Sequence, residues 1–353
     1  MNRRSCARAP VRVDAGGGGT DAPPFSVEHG GMVVNFGVQR HAFASVQRLA
    51  AGQGVTIHSE DLGKTVTARS SSELPGDQLE FLEAFMRKLV PDGESVLLVT
   101  ESDVPPGAGL GGSGAMGVAV VAALDHAFGI KRTAAETARL ANDVERKDLG
   151  YPGGDQDSFG AALGGVNKLE YVKGGGTVPH RLDISDEVLH ALENRTLLLY
   201  TSEAHVSGNI HKDIKESYKL PDSPTVAAMV GLRESAIKMA AALEAGDLDA
   251  YAESLNTSCD ELYNLHASCG CEGHRQLTAE LDDLILGRKT CGAGGGGFLA
   301  VFTKPGCRQQ CIKRAEQLGA LVWPVVLDRT GVTTWSDTAA EKELVESIIQ
   351  RAG

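Results

Sequence analysis

Glycine constrains this chain more than any other residue, through where it is placed. The sequence has 353 residues, of which 43 are glycine, well above the average share of about 7%. They gather in four clusters: Gly16–Gly19, Gly107–Gly114, Gly174–Gly176 and Gly292–Gly297. A flexible linker mixes serine with glycine, whereas three of these clusters lie between an apolar run and another element, as built loops do. Gly174-Gly175-Gly176 is the linker signal, and it predicts a division into residues 1–175 and 176–353.

Between the clusters, apolar runs predict strands at Val11–Val13, Met32–Gln39, His41–Gln47, Ser95–Thr100, Val166–Tyr171, Thr196–Tyr200, Phe298–Phe302 and Leu321–Val326. Helical spacing predicts helices over Leu79–Leu89, Ala115–Phe128, Thr133–Lys147, Gln156–Leu163, Pro224–Glu244, Leu248–Asn264, Arg275–Gly287 and Cys307–Leu318. Strands and helices mixed without strict βαβ alternation argue for an α+β fold in layers, not an open parallel sheet.

Composition narrows the function classes. Hydrophobic residues are 42% and charged residues 23%, an ordinary globular balance. The strongest apolar run, Met116–Leu124, stops at Asp125, far short of the about 20 residues a membrane span needs. Met1–Pro10 carries arginines with no apolar stretch behind them, unlike a secretory signal. These features predict a cytoplasmic protein. A net charge of −12 repels polyanions on average, so neither nucleic acid nor an anionic membrane is the expected partner. Seven cysteines at no framework spacing predict free thiols. Cys269 and Cys271, near His266 and His274, lack the gap expected of paired zinc cysteines.

The loop Val104–Ala115 (VPPGAGLGGSGA) separates a predicted strand from a predicted helix. A glycine loop entering a helix presents free N–H groups and the positive helix end, which together favour a phosphate. Ser113 would stand at the helix entrance, able to cap it or to hold a metal; a tight turn with a serine cap explains the same residues. Gly109, Gly111 and Gly114 also spell G-x-G-x-x-G, a dinucleotide fingerprint. That reading needs a following strand ending in an acidic residue, but Asp143 and Glu145 fall inside a second predicted helix. No Walker motif is present. In the first cluster, Arg12, Asp14 and Asp21 flank glycines, an arrangement that suits sugar hydroxyls and phosphate oxygens and equally suits a turn. Asp155 and Asp157 open a predicted helix, where an aspartate is commonly a cap. The fourth cluster, CGAGGGGF (Cys291–Phe298), has too many glycines for one turn and implies a backbone packed hard against a ligand or another loop.

Taken in order, these segments resemble the family of small-molecule kinases that includes galactokinase, homoserine kinase, mevalonate kinase and phosphomevalonate kinase. PPGAGLGGSGA is similar to its nucleotide loop and CGAGGGGF to its C-terminal glycine motif. RVDAGGGGTDAPPF and DQDSFGAALGGVN resemble the branch that phosphorylates the anomeric hydroxyl of sugars, chiefly heptose 7-phosphate kinases and L-fucokinases.

The resemblance implies a two-domain α+β fold with the active site in the cleft between halves, and an ATP- and Mg2+-dependent sugar kinase. Asp157 matches the catalytic aspartate and Arg12 the arginine beside the transferring phosphate. Pro106, Gly107, Ala108, Gly109, Leu110, Gly111, Gly112, Ser113 and Gly114 would wrap the ATP phosphates, with Ser113 and Glu145 on magnesium. Asp14, Gly18, Gly19, Thr20 and Asp21 would meet the sugar, with Asp157, Gly294 and Gly295. The implied acceptor is D-glycero-D-manno-heptose 7-phosphate. A free sugar such as fucose is the rival acceptor, and a catalytically silent sugar- or nucleotide-binding protein the rival of another class. Gly112 and Gly114 stand where many members have serines, and Asp14 where many heptose kinases have serine. A phosphorylated acceptor needs a cation, for which Lys147, Lys173, Lys212 and Lys289 are the candidates.

Overall fold

The computed structural model describes residues 3–201, 207–220 and 223–338. Its strands are β1 (Arg3–Gly16), β2 (Gly31–Arg48), β3 (Val55–Ser59), β4 (Lys64–Ala68), β5 (Val96–Ser102), β6 (Val166–Tyr171), β7 (Thr177–Arg181), β8 (Thr196–Tyr200), β9 (Ile285–Thr290), β10 (Phe298–Thr303), β11 (Leu321–Pro324) and β12 (Thr333–Thr338). The helices are α1 (Phe25–His29), α2 (Glu80–Leu89), α3 (Gly112–Phe128), α4 (Ala134–Asp143), α5 (Gln156–Leu163), α6 (Asp186–Arg195), α7 (Ser207–Tyr218), α8 (Pro224–Ala245), α9 (Leu248–Leu265), α10 (Glu272–Leu281) and α11 (Arg308–Gln317).

Two sheets carry the fold. The first runs β12-β1-β2-β5-β3-β4, with β6 on β2 and β7 on β6; the second runs β11-β8-β10-β9. The long strand β2 is the spine of the first sheet. One edge pairs with β1, while residues 31–36 of the other pair with β6 and residues 42–48 with β5. Only β3 and β5 pair in parallel among the described strands. Helix α3 lies across β1 and β2, and the α8–α9 hairpin reaches β1 and β2 on one side and β9 on the other.

The expected strand at Val11–Val13 is the middle of the longer β1, which takes in Arg3–Pro10 as well. Ala7 and Ala9 have weak strand preference, but they are fully buried and paired within the sheet, so tertiary context overrides propensity. Pro10 has no N–H to give and sits where the β1–β2 register shifts. The runs Met32–Gln39 and His41–Gln47 are one strand. The helix expected over Thr133–Lys147 begins with a Thr133–Glu136 capping box, then widens into a π turn over Val144–Asp148. The helix expected over Arg275–Gly287 ends at Leu281. Residues 285–290 pair with β10 as a strand, because Ile285, Gly287 and Lys289 face inward with a period of two. Gly174–Gly176 is not a linker. Val172 donates to the Gly176 carbonyl and closes the β6–β7 hairpin of one sheet, and the chain reaches the second sheet only after Arg181. No described helix is long and apolar enough to cross a membrane.

A buried ion pair ties the two sheets together. Lys289 on β9 and Asp14 on β1 are both fully buried; Lys289 Nζ lies 3.3 Å from Asp14 Oδ2 and donates to the Thr290 carbonyl at 2.7 Å. Removing one partner leaves a charge with no water to solvate it, a cost of about 3–5 kcal/mol. Lys289→Met is therefore expected to lower the denaturation midpoint strongly, and the charge-free double variant Asp14→Asn/Lys289→Met to recover most of the loss. Chemical denaturation of the three proteins checks this; two single variants as stable as wild type would refute it.

Candidate active site

Three segments far apart in sequence meet at Arg12. From β1, its Nε and Nη2 donate to Asp157 Oδ1 at 2.9 and 2.6 Å, and its Nη1 donates to the Gly109 carbonyl at 2.7 Å. Its backbone N–H donates to the Leu110 carbonyl at 3.0 Å. Burial works against the guanidinium charge, but Asp157 and Asp14 outweigh it and hold Arg12 above its ordinary pKa. Asp157 stands in the first turn of α5.

The glycine loop lies directly opposite. Gly111, in the left-handed region at φ 71°, starts α3. Gly114 sits against Asp157: a Cβ there would fall 2.5 Å from Asp157 Cβ and 2.9 Å from its carbonyl carbon. A side chain at this position would therefore collide with the start of α5. Ser113 donates to Glu145 Oε1 at 3.0 Å. Burial, followed in effect by the opposing charge of Arg146, governs Glu145, and its pKa lies above the ordinary value. The π turn that follows α4 carries Glu145 into this position; such bulges recur at functional sites. The fourth glycine cluster packs on the loop. Phe298 N–H donates to the Ala108 carbonyl at 3.0 Å, and a Cβ at Gly297 would meet that carbonyl oxygen at 2.5 Å. Buried His274 lies between Thr290 Oγ1 at 3.0 Å and the Gly297 carbonyl at 3.2 Å.

These elements enclose a cavity of about 810 Å3. Pro106, Gly107, Ala108, Gly109, Gly111, Gly112 and Ser113 line it, together with Glu145, Arg12 and Asp157. Leu110 is instead buried in the core, and Gly114 touches Asp157. Apolar wall comes from Leu62, Leu79, Phe81, Leu82, Val104 and Met116, and further wall from Gly18, Gly19, Asp21, Gly154, His211, Ile214, Leu262 and Leu265.

Several expected residues lie elsewhere. Asp14 is enclosed against Lys289 and does not reach the cavity. Thr20 is fully buried, its hydroxyl bonded to the carbonyls of Gly17 and Met32. Gly294 and Gly295 line a narrow neighbouring cleft, while Gly292 and Ala293 reach the main cavity. None of the four lysines lines it: Lys147 is exposed and paired with Asp143, Lys173 and Lys212 are exposed, and Lys289 is buried. The described cationic or imidazole side chains on the wall are Arg12, Arg146 and His211. Arg146 directly follows Glu145 and was recoverable from that neighbour, whereas His211 belongs to no motif.

Asp21 is held by the N–H groups of Gly19 at 3.0 Å and Gln156 at 3.4 Å. Burial, then the charges of Asp155 and Asp157, raise its pKa to about 7. Asp155 is also raised by burial, with Thr177 Oγ1 donating to it at 2.7 Å.

The family described as GHMP kinases N terminal domain matches residues 79–165. A D-glycero-alpha-D-manno-heptose 7-phosphate kinase of Campylobacter jejuni is 30% identical over 336 residues, covering 93% of this chain and 98% of that one. Among solved structures, a putative sugar kinase from Campylobacter jejuni superposes with a TM-score of 0.76 at 27% identity, covering 96% of this chain and 99% of that one. A D-glycero-D-manno-heptose 1-phosphate kinase from Bacteroides thetaiotaomicron superposes with a TM-score of 0.79 at 24% identity, covering 95% and 100%. The α+β fold and the glycine-lined cavity are thus those of a small-molecule phosphotransferase. The chain belongs to the GHMP kinase family, and within it is an ATP-dependent sugar kinase.

Two outcomes follow from this geometry. Gly114→Ala should destabilise the protein by about 1–3 kcal/mol through overpacking and lower kcat on the order of a hundredfold by displacing Asp157; wild-type kcat would show that the contact is dispensable. Asp21 has a higher pKa folded, at about 7, than unfolded, at about 3.9. Its contribution to stability is therefore full below pH ~4 and is lost as pH rises through ~7. Asp21→Asn removes that loss, so melting temperatures at pH 4 and pH 7.5 should show the variant gaining on wild type at the higher pH.

Proposed function

We propose that this enzyme transfers the γ-phosphoryl group of ATP to the anomeric hydroxyl of D-glycero-D-manno-heptose 7-phosphate, giving the 1,7-bisphosphate and ADP. The observation that carries the choice of sugar is the near full-length likeness to a heptose 7-phosphate kinase. In this reading Asp157 accepts the proton of the acceptor hydroxyl as its oxygen bonds to the γ-phosphorus, and the bond from that phosphorus to the β,γ-bridging oxygen breaks. Arg12 orients the carboxylate. The amides of Gly107–Gly112 and the first turn of α3 receive the phosphates, and the wall of Leu79, Phe81, Leu82 and Met116 receives the base. Ser113 and Glu145, hydroxyl beside carboxylate, suit a hard divalent cation. Mg2+ held there would neutralise phosphate charge. Gly18, Gly19 and Asp21 meet the sugar, and a carboxyl titrating near pH 7 can both donate to and accept from its hydroxyls. Thr20 shapes their loop from within.

Asp157→Asn should retain the fold and ATP binding and lose at least about a hundredfold in kcat; near wild-type turnover would reduce Asp157 to a helix cap. Ser113→Ala should shift the magnesium dependence of the rate more than the sugar KM. The substrate itself is tested by kcat/KM across D-glycero-D-manno-heptose, its 7-phosphate, fucose and galactose. Preference for the 7-phosphate is expected, and faster turnover of fucose would overturn the assignment.

A further inference from the structure

We propose that Arg146 and His211 form a subsite for the phosphate that the acceptor sugar already carries; this rests on the reading of the acceptor as a sugar phosphate. A dianion cannot be buried without cationic or hydrogen-bonding partners. Carboxylates dominate the wall, with Asp21, Asp61, Asp77, Glu80, Glu145 and Asp157 against Arg12, Arg146 and His211. Arg12 is committed: all three of its nitrogens donate to Asp157 or to the Gly109 carbonyl.

Arg146 is oriented but not consumed. Its Nε donates to the Gly154 carbonyl at 3.1 Å and its Nη1 to the Pro152 carbonyl at 2.6 Å, which fix the plane of the guanidinium. Its Nη2 donates no hydrogen bond to a described residue and lies 3.7 Å from Glu145 Oε2. It packs against Gly153 and Gly154, and Gly154 in turn touches Asp21. His211 enters from α7, one helical turn before Ile214, and both line the cavity. Ile210 and Ile214 pack with Leu262 and Leu265 of α9, which seats the histidine on a fixed face. The imidazole has no hydrogen-bond partner among the described residues, and Arg146, Asp157 and Arg12 are the charged groups that act on it. Burial, then the charge of Arg146, hold it below its ordinary pKa. The ring thus offers an N–H donor on the same cavity wall as a fixed guanidinium, two groups suited to phosphate oxygens.

The test uses the full chain with ATP, and the acceptors D-glycero-D-manno-heptose and its 7-phosphate. His211→Gln and Arg146→Lys are each expected to lower kcat/KM for the 7-phosphate by about 10- to 100-fold, chiefly through KM, the effect of losing a charge-assisted hydrogen bond. The unphosphorylated heptose should change by no more than about twofold, so the preference for phosphate collapses. Lys147→Met should leave both sugars unchanged. Equal losses on both sugars would place these side chains on the transferring phosphate and overturn the proposal, as would a His211→Gln enzyme that keeps the wild-type preference. If Arg146→Lys releases the 151–154 loop and loses cooperative melting, His211→Gln decides alone. Wild-type enzyme with no preference for the phosphorylated sugar would refute the sugar-phosphate reading itself, and that failure is visible before any variant is made.

Discussion

A guanidinium removed from water is tolerated only where its charge is met, and Arg12 meets that condition through a strand, a loop and a helix at once. The strand supplies the residue, α5 supplies the carboxylate and the glycine loop supplies a carbonyl. The backbone of Arg12 is itself bonded to Leu110. The glycine loop 107–114 is therefore fastened to the first sheet by main chain and side chain together, and the fourth glycine cluster is pressed onto its other side. Preorganisation of this kind is what phosphoryl transfer asks of a protein, since positioning and charge neutralisation account for most of its catalysis.

The same crowding brings Asp21, Asp155 and Asp157 together, and like charges at close range cannot all ionise without compensation. Each is handled differently. Asp157 has the arginine, Asp155 has the Thr177 hydroxyl, and Asp21 has two amides and a raised affinity for a proton. Tyr171, buried beside Asp155 and Asp21, is pushed well above its ordinary pKa and stays neutral. One region can thus hold a carboxylate paired with an arginine and a carboxyl near its titration point, with environment and not residue type making the difference.

Much of this was legible in the sequence because glycine clusters announce close backbone approach directly. The loop at 107–114 lay in a motif, and Ser113, Glu145, Arg12 and Asp157 were each singled out through the family resemblance, though not their contacts with one another. Pairing across long separations was not legible. Asp14 shares a strand with Arg12 and was expected at the sugar, but Lys289, 275 positions away, claims it. Lys147 follows Arg146 by one residue, and only the π turn decides which of the two reaches the cavity. Strand β9 hid because Leu277, Leu281, Leu284 and Ile285 continue a helical apolar spacing past the end of α10. The triglycine resembled a linker because a hairpin turn and a linker ask the same freedom of a backbone.

Strand β12 lies on the outer edge of β1, pairing residues 333–338 with residues 3–8. Strand β1 thus has both of its edges covered only once residues 333–338 are in place. Until then β1 presents an open row of amides and carbonyls, a template for the wrong neighbour. Covering that edge therefore depends on a contact between segments far apart in the sequence, the kind of pairing that forms slowly.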